Sequence, residues 1–252
     1  MTQHLYTSDI AKAVGVHPNT VRLYEEWGFL QPVPRSTSGY RLFSEAHLDQ
    51  MRLARTALHG PWPGRNIRRS AVELVRQSAS GDLGGALEQA YQHLARVQAE
   101  QAQAEAAVQL LERWAQGVAA DATSQTLQIG QAARLLGAST DMLRNWERNG
   151  LIQVPRDPGN GYRLYTATEL GRLRVIRMLS RAGYSQMAIL RMLLHLDQEQ
   201  GGDLRQVLDT PRPDEDIHIA ADRWLSSLGE QEQRAMDMIA QLEAMIGKQQ
   251  SP

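Results

Sequence analysis

The chain has 252 residues, with 27 Lys or Arg, 28 Asp or Glu and no Cys. The lack of cysteine excludes disulfides, thiolate metal sites and cysteine nucleophiles. No basic and apolar leader opens the chain, and no uncharged apolar run approaches the roughly 18 residues of a membrane-spanning helix. We therefore expect a cytoplasmic, soluble protein without a membrane partner.

The net charge of −1 hides two basic and two acidic segments that alternate along the chain. Residues 1–70 hold nine basic and five acidic residues (+4), and residues 126–195 hold ten and four (+6). Residues 71–125 hold three and seven (−4), and residues 196–252 hold five and twelve (−7). Since local charge decides whether a surface attracts phosphate, the two basic segments are the candidates for binding nucleic acid.

The first elements follow a helix-turn-helix pattern. A short helix is predicted over residues 9–14, a tight turn at Gly15 and a second helix over residues 18–27. Pro18 suits the first turn of a helix, and Gly28 is a typical signal for a helix C-terminus. Two helices joined by a short glycine turn predict a helix-turn-helix unit.

A hairpin and two further helices follow this unit. The segment from Pro34 to Gly39 is polar, contains glycine and is flanked by apolar residues. These features predict a two-stranded hairpin, or wing. Helices are then predicted over residues 45–58 and 62–75.

The same order of elements returns about 122 residues later, which is the length of a whole small domain. The predicted elements of this second copy are helices over 129–136 and 140–148, a hairpin over 155–161, and helices over 169–180 and 184–196. We therefore predict two related domains, over residues 1–80 and 126–200, rather than one large domain.

Each domain is followed by a long helix with the apolar pattern of a two-stranded coiled coil. Apolar or small residues recur at steps of three and four over residues 87–111 and again over residues 217–245. This spacing predicts coiled-coil helices over residues 86–118 and 214–248. Residues 119–125 form a polar linker between the two halves of the chain.

Two motifs give each copy a family resemblance. The second helices end in Arg22-Leu23-Tyr24-Glu25 and Arg144-Asn145-Trp146-Glu147, and the hairpins carry Gly39-Tyr40-Arg41-Leu42-Phe43 and Gly161-Tyr162-Arg163-Leu164-Tyr165. Each copy resembles the DNA-binding domain of the MerR family of bacterial transcription regulators, and together the copies span nearly the whole chain. The resemblance implies a mainly α fold of two winged helix-turn-helix domains, each with a small β-hairpin wing and a long coiled-coil helix after it.

The resemblance also implies that double-stranded promoter DNA is the partner. In such domains the second helix enters the major groove, while Arg and hydroxyl side chains around it contact phosphates. The candidate base-facing residues are His17, Asn19, Thr20, Ser139, Asp141 and Met142. The candidate residues for a base edge or a phosphate are Arg22 and Arg144. The candidate phosphate-binding residues of the wings are Arg35, Tyr40, Arg41, Arg156, Tyr162 and Arg163.

Three residues of the second helices need a separate interpretation. Tyr24 and Trp146 are interpreted as core aromatics rather than DNA contacts. Asp141 can accept a hydrogen bond from cytosine or cap the N-terminus of its helix. Because the copies differ at every candidate base-facing position, we expect two unequal half-sites, that is, an imperfect palindrome.

The sequence gives no support for a metal site or a catalytic site. The seven histidines are scattered, without the helix-face or chelate spacing of a metal site. No Ser-His-acid arrangement, phosphate-binding glycine loop or pair of catalytic carboxylates stands out. We therefore expect no enzymatic activity, no bound metal and no cofactor.

A MerR-like subunit carries one DNA-binding domain and one long helix, whereas this chain carries two of each. The resemblance implies an intramolecular pseudo-dimer with antiparallel long helices, and a homodimer with four DNA-binding domains is the alternative. Gln101 and Gln231 lie near the middle of the two apolar patterns, where they can face one another and set the register. RNA polymerase at the promoter is a further partner that the resemblance implies.

Family members usually respond to an effector, and the sequence leaves its identity open. With cysteine absent, a pocket between a long helix and a DNA-binding domain is the place that remains for a small molecule. Trp114 and Trp224 are of interest for such a pocket, although for Trp224 a place in the helix–helix seam is the favoured interpretation.

The sequence thus favours a DNA-binding transcription regulator that distorts promoter DNA. Two other classes stay open: a MerR-like protein that sequesters a ligand such as an antibiotic, and an architectural DNA-binding accessory protein. The arginines of the wings argue against a pure ligand trap, because such a protein needs no phosphate contacts.

Overall fold

The computed structural model describes residues 4–60, 65–116, 126–198, 202–211 and 220–250, and these residues are mainly helical. The helices are α1 (Thr7–Ala13), α2 (Pro18–Glu26), α3 (Glu45–Leu58), α4 (Arg65–Ala79), α5 (Leu83–Ala115), α6 (Ile129–Leu136), α7 (Thr140–Arg148), α8 (Ala167–Arg181), α9 (Gln186–Asp197), α10 (Leu204–Asp209) and α11 (Trp224–Gln250), with a 3₁₀ turn over Ala220–Arg223. Within these ranges, no helix is long and apolar enough to cross a membrane.

The structure confirms the predicted helices of both repeats. Three of them, α3, α6 and α7, have the predicted first and last residues. The short helix α10 was not predicted from the sequence. Some predicted features lie outside the described residues: the linker over residues 119–125, the first residue of the predicted helix 62–75 (Trp62) and the first residue of the second apolar pattern (Ile217).

The chain forms two compact units, and each contains one helix-turn-helix region. Unit 1 comprises Met1–Ala99 and Ser227–Pro252, and unit 2 comprises Glu100–Ser226. Each of the two long helices therefore contributes residues to both units.

Unit 1 has a core to which its N-terminal helices and α11 both contribute. Ile10, Phe43 and Leu74 are fully buried there, and Met238 and Leu242 of α11 belong to the same cluster. The C-terminal part of α11 thus covers apolar surface that α1–α4 would otherwise expose.

Within unit 1, α11 runs antiparallel to α5. The Tyr91 hydroxyl donates to Glu243 Oε1 (3.1 Å), and Gln98 Nε2, further along α5, donates to Glu232 Oε1 (2.8 Å). The residue numbers on α11 fall as those on α5 rise. The two glutamines that we expect to set the register of the long helices differ in exposure: Gln231 is buried and Gln101 is half-buried.

In unit 2, a buried arginine joins α9 to α10. Arg191 Nε donates to the carbonyl of Val207 (2.7 Å), and its Nη2 donates to the carbonyl of Leu208 (2.9 Å). The last carbonyls of a helix lack partners within the helix. The guanidinium supplies those partners, so it fixes the C-terminal end of α10.

Unit 2 also fixes the residue at which α11 begins. Both carboxylate oxygens of Asp209 accept from the Ser226 N–H at 3.2 Å, which satisfies a free donor in the first turn of α11. Trp224 Nε1 donates to the Ala182 carbonyl at 2.7 Å. Its indole is thus buried and anchored on the turn between α8 and α9, and the interpretation of Trp224 as a seam residue stays a prediction.

The hairpins of the two wings are reduced to loops, each closed by one bridge. Among the described residues the β pairing consists of isolated bridges, and those of the wings join Arg35 to Arg41 and Arg156 to Arg163. Leu42 N donates to the Pro34 carbonyl (2.8 Å), but proline has no N–H with which to return a second bond. Pro155 limits the second loop in the same way. We call residues 34–43 and 155–165 the wing loops.

Gly183 tests the anchoring of Trp224, because its φ is +100° and a Cβ there would overlap the indole. We expect Gly183→Ala to lower the free energy of unfolding by roughly 1–2 kcal/mol for the left-handed backbone, and by about 1–3 kcal/mol more for the overlap. Gly161→Ala is the matched control, since Gly161 has φ +72° and open space at its Cβ. Denaturant unfolding would measure both, and equal losses would contradict the anchoring.

Candidate nucleic-acid interface

The first helix-turn-helix buries one face of α2 and exposes the other. Val21 and Tyr24 pack into the core of unit 1, and the turn before α2 contains Gly15 with φ +66°. Because a helix repeats every 3.6 residues, residues between these buried positions face solvent. The exposed face carries the predicted base-facing and DNA-contacting residues, of which His17, Asn19 and Arg22 are exposed and Thr20 is half-buried.

The first turn of α2 is capped without using a charged group. His17 Nδ1 accepts from Asn19 N (3.2 Å), and Pro18 occupies the first helical position. Arg22 Nη1 donates to Asn19 Oδ1 at 3.3 Å. The positive charge of Arg22 therefore lies beside a neutral amide, which does not cancel it.

The second helix-turn-helix has the same backbone and different chemistry. Gly137 has φ +55° in the turn, and Ser139 Oγ caps α7 by accepting from Met142 N (3.1 Å). Arg144 Nη1 donates to Asp141 Oδ1 at 3.1 Å. Of the two roles predicted for Asp141, capping is wrong, because Ser139 is the cap and the Asp141 carboxylate pairs with Arg144 instead.

The two exposed helix faces thus differ in charge at two matched pairs of positions, Asn19 and Asp141 in the first turn and Glu26 and Arg148 at the last helical residue. In α2 the arginine partner is an amide (Asn19), and in α7 it is a carboxylate (Asp141). Ser139, Asp141, Met142 and Arg144 are all exposed. Asp141 therefore makes the first turn of α7 less attractive to an anion than that of α2, whereas Arg148 makes its last turn more attractive than Glu26 makes that of α2.

The tip of each wing loop is exposed and carries a tyrosine. The side chains of Tyr40 and Tyr162 are 66% and 62% exposed, which is unusual for aromatic residues in a folded protein. Arg35 and Arg156 are exposed beside them, and each donates from Nη1 to the glycine carbonyl of its own loop at 3.4 Å. The Arg and Tyr side chains at the tip of each wing loop are therefore accessible to a ligand.

The third predicted residue of each wing loop has another partner. Arg41 Nε pairs with Glu25 Oε2, and Arg163 Nε pairs with Glu147 Oε2 at 2.6 Å. All four side chains are about one-fifth to one-quarter exposed. Arg41 and Arg163 therefore tie the wing loops to α2 and α7, a role that the sequence reasoning did not assign to them.

Glu25 and Glu147 are the residues that the sequence reasoning missed. Both stand directly after the buried aromatic of the second helix, at the same place in each repeat. A carboxylate kept in both copies within a basic segment was the available signal. Glu147 also lies 3.6 Å from Arg156 Nη2, so the second wing loop is further neutralised.

Tyr24 and Trp146 are core residues, as predicted. They are 7% and 3% exposed, and Tyr24 meets Phe29 edge to face with ring centroids 5.7 Å apart. Trp27 beside them is 51% exposed, and Asn149 takes its place in the second copy. Among the described residues, no group of three or more His, Asp or Glu side chains is arranged to hold a metal ion.

Comparison with known proteins identifies the repeated domain. The family model of the MerR HTH family regulatory protein matches the chain twice, over residues 6–69 and 127–196. The two matches together cover more than half of the chain. Each match includes the helix-turn-helix, the wing loop and the helices that follow it.

Relatives of this chain are regulators of the same type. It is 42% identical over 50 residues to the HTH-type transcriptional regulator CueR of Escherichia coli O6:H1, covering 20% of this chain and 37% of CueR. It is 26% identical over 117 residues to a probable heavy metal-dependent transcriptional regulator of Haemophilus influenzae (46% and 83%). It is 33% identical over 86 residues to the HTH-type transcriptional regulator HmrR of Rhizobium leguminosarum bv. viciae (33% and 66%).

The similarity to these relatives is partial, since the chain spans about a third of the length of CueR. No solved structure gives a significant match. The family model nevertheless matches at two places, and each place folds as a helix-turn-helix followed by a wing loop. The chain belongs to the MerR HTH family of regulatory proteins.

Proposed function

We propose that this protein is a sequence-specific transcription regulator that binds double-stranded promoter DNA through two unequal half-sites. The observation that carries the proposal is the pair of helix-turn-helix units with exposed, polar and different faces on α2 and α7. The regulators that it resembles, among them CueR and HmrR, are transcription regulators by name. We extend that role to this chain.

The geometry suits a helix in the major groove. An α-helix fits the groove, and its first turns reach the base edges while surrounding groups bind phosphates. The first turns of α2 and α7 carry the exposed candidate residues, and the exposed Arg and Tyr side chains of the wing loops follow in the chain. Phosphate contacts of this kind supply affinity and orientation, whereas the helix faces supply specificity.

The two half-sites are expected to differ in sequence. Asn19 can form a bidentate pair with adenine, whereas Asp141 at the matching position can accept from the amino group of cytosine. Met142 presents an apolar surface where Thr20 presents a hydroxyl. One chain therefore reads an imperfect palindrome.

A pseudo-dimer within one chain is the arrangement we propose for the two units. The antiparallel contacts between α5 and α11 within unit 1 support it, because a MerR-type dimer pairs its long helices in this sense. A covalent link raises the effective concentration of the two halves to about the millimolar range. The halves would then pair at any protein concentration in the cell.

Regulation would follow from distortion of the promoter, with RNA polymerase as the second partner. Bending or untwisting DNA over one site costs on the order of 1–6 kcal/mol. Two DNA-binding units on one chain can supply that energy from their phosphate contacts. This step rests on the family resemblance and is part of the proposal.

Selection of binding sites from random duplex DNA, followed by footprinting, tests the proposed function. We expect one protected region of about 20 base pairs with two different half-sites, and affinity that falls steeply with salt. A perfect inverted repeat would contradict unequal reading. No protection would favour a ligand-binding protein, and extended coverage would favour an architectural protein, so either result would overturn the proposal.

Exchanging the matched polar residues tests the charge difference between the helix faces. We expect Asp141→Asn to tighten binding to non-specific duplex DNA by about threefold, because it frees Arg144 and removes repulsion of phosphate. We expect Asn19→Asp to weaken that binding by a similar factor. Fluorescence anisotropy at fixed salt would measure both.

Asp237→Asn is the control for this exchange, since it makes the same charge change at an exposed position of α11. It is expected to leave binding within about 1.5-fold of the parent protein, because charges beyond a Debye length of roughly 8–10 Å are screened. Equal effects of Asp141→Asn and Asp237→Asn would show that only net charge matters.

Sedimentation velocity at low micromolar concentration tests the pseudo-dimer. We expect a single species with the mass of one chain, 28.2 kDa. This mass should not change on dilution, because pairing within a chain does not depend on concentration. A species of twice that mass would instead support the homodimer with four DNA-binding domains.

A further inference from the structure

Unit 2 contains a pocket that the DNA-binding role does not use. It lies among the second half of α5, the end of α6 and one face of α8, and its volume is about 460 Å³. Pockets that hold small molecules in proteins typically have volumes of about 300–1,000 Å³. The size therefore suits a small organic ligand.

The walls of this pocket are largely apolar. Ala106 and Leu110 from α5 face Leu135 and Leu136 from α6 across it. Leu110 is 45% exposed and Leu135 is 50% exposed, although both are large apolar side chains. A ligand with an apolar body would cover this surface and gain about 25 cal/mol for each Å² removed from water.

One wall of the pocket is cationic. Arg174, Arg177 and Arg181 stand at steps of three and four on α8 and all line the pocket. Residues at these steps lie on the same face of a helix. The planar guanidinium group binds carboxylates through two parallel hydrogen bonds, so this wall suits an anionic head group.

Arg177 connects the pocket to the helix-turn-helix. Its Nη2 donates to the carbonyl of Gly137 at 2.7 Å. Gly137 is the left-handed residue of the turn that leads into α7, and a Cβ there would lie 3.1 Å from the same nitrogen. Any ligand that pairs with Arg177 would change a contact on the turn that orients α7.

The first copy of the repeat keeps arginines at two of the three matching places, Arg52 and Arg55, but differs in the contacts around them. A Cβ at Gly15, the counterpart of Gly137, would have no atom within 4 Å. On α3, Thr56 accepts from Gln241 Nε2 (2.9 Å), and the guanidinium of Arg234 packs over Gly60. Long side chains of α11 thus occupy the face in unit 1 that corresponds to the pocket wall of α8 in unit 2.

We propose that this pocket, lined by α5, α6 and α8, binds a small amphipathic anion: an aromatic or aliphatic body with one carboxylate or sulfonate group. The apolar body lies between Leu110 and Leu135, and the anionic group pairs with Arg177 and Arg181. Binding shifts Arg177 away from the Gly137 carbonyl and so changes the DNA affinity of α7. This coupling to DNA rests on the proposed function, whereas the binding site itself does not.

The test uses the fluorescent probe anilinonaphthalene sulfonate and its neutral analogue phenylnaphthylamine, which has the same aromatic body without the anion. We expect the full-length protein to bind the sulfonate at least about tenfold more tightly, because the charge-assisted bonds to arginine are lost with the neutral probe. Equal affinity for both probes would overturn the assignment of an anionic ligand.

Two variants locate the site. Ala106→Trp fills the pocket from an exposed position of α5, and Arg181→Gln removes a cation that is exposed at the pocket rim. Each is expected to weaken binding of the sulfonate probe at least about fivefold. The matched controls are Ala95→Trp and Arg96→Gln, which are exposed on α5 about two turns before its first lining residue, Gln103, and they should change affinity less than about twofold. Unchanged binding in both pocket variants would overturn the site.

Coupling is tested by titrating the sulfonate probe with and without the selected DNA duplex. Linkage requires that DNA change the affinity for the probe by the same factor by which the probe changes the affinity for DNA. We expect that factor to be about threefold or more. Probe binding that DNA leaves unchanged would overturn the coupling alone. If the chain binds no DNA, the proposed function fails, and the probe titrations with the variants still decide the site.

Discussion

The ion pair between the second helix and the wing loop is the interaction that sets the wing loop against its helix in each unit. Glu25 pairs with Arg41 and Glu147 pairs with Arg163, at the same place in both copies. The two arms of each wing loop share one bridge, and backbone bonds such as Ser36 N to the Tyr40 carbonyl (2.8 Å) and Phe43 N to the Leu5 carbonyl (2.8 Å) add to it. A partly buried hydrogen bond between charged groups contributes roughly 1.5–3 kcal/mol, which is enough to fix a short loop against a helix.

In unit 1 this pairing divides the arginines of the helix-turn-helix and wing loop into two kinds. Arg41 faces inward to a carboxylate, whereas Arg22 and Arg35 stay on the exposed surface. An unpaired charge attracts a phosphate more strongly than a paired one, because the opposite charge beside the paired one cancels most of its field. The shape of the unit and its attraction for an anion are therefore set by different residues. The exposed arginines, Arg22 and Arg35, can therefore change without loss of the fold.

The sequence predicted the parts of this fold that depend on local spacing. Apolar periodicity and capping residues set the limits of α3, α6 and α7, and the same periodicity identified the exposed face of α2. The sequence did not predict contacts between residues that are far apart in the chain. Buried Gln50 is an example, since its Nε2 donates to the carbonyls of Phe29 and Val75, each at 3.1 Å. The glutamate partners of the wing arginines and the pocket of unit 2 depend on contacts of that kind.

A duplication within one chain removes a constraint that symmetry imposes on a dimer of identical subunits. In a symmetric dimer every substitution occurs twice, so a residue that opens a pocket or adds a charge does so on both sides. Here Asp141 can cancel Arg144 while Asn19 leaves Arg22 uncompensated, and α11 can fill a groove that α5 leaves open. The backbone of the two units must stay alike so that both retain the same helix-turn-helix geometry. Side chains that no shared contact requires are free to diverge, and that is where the two copies differ.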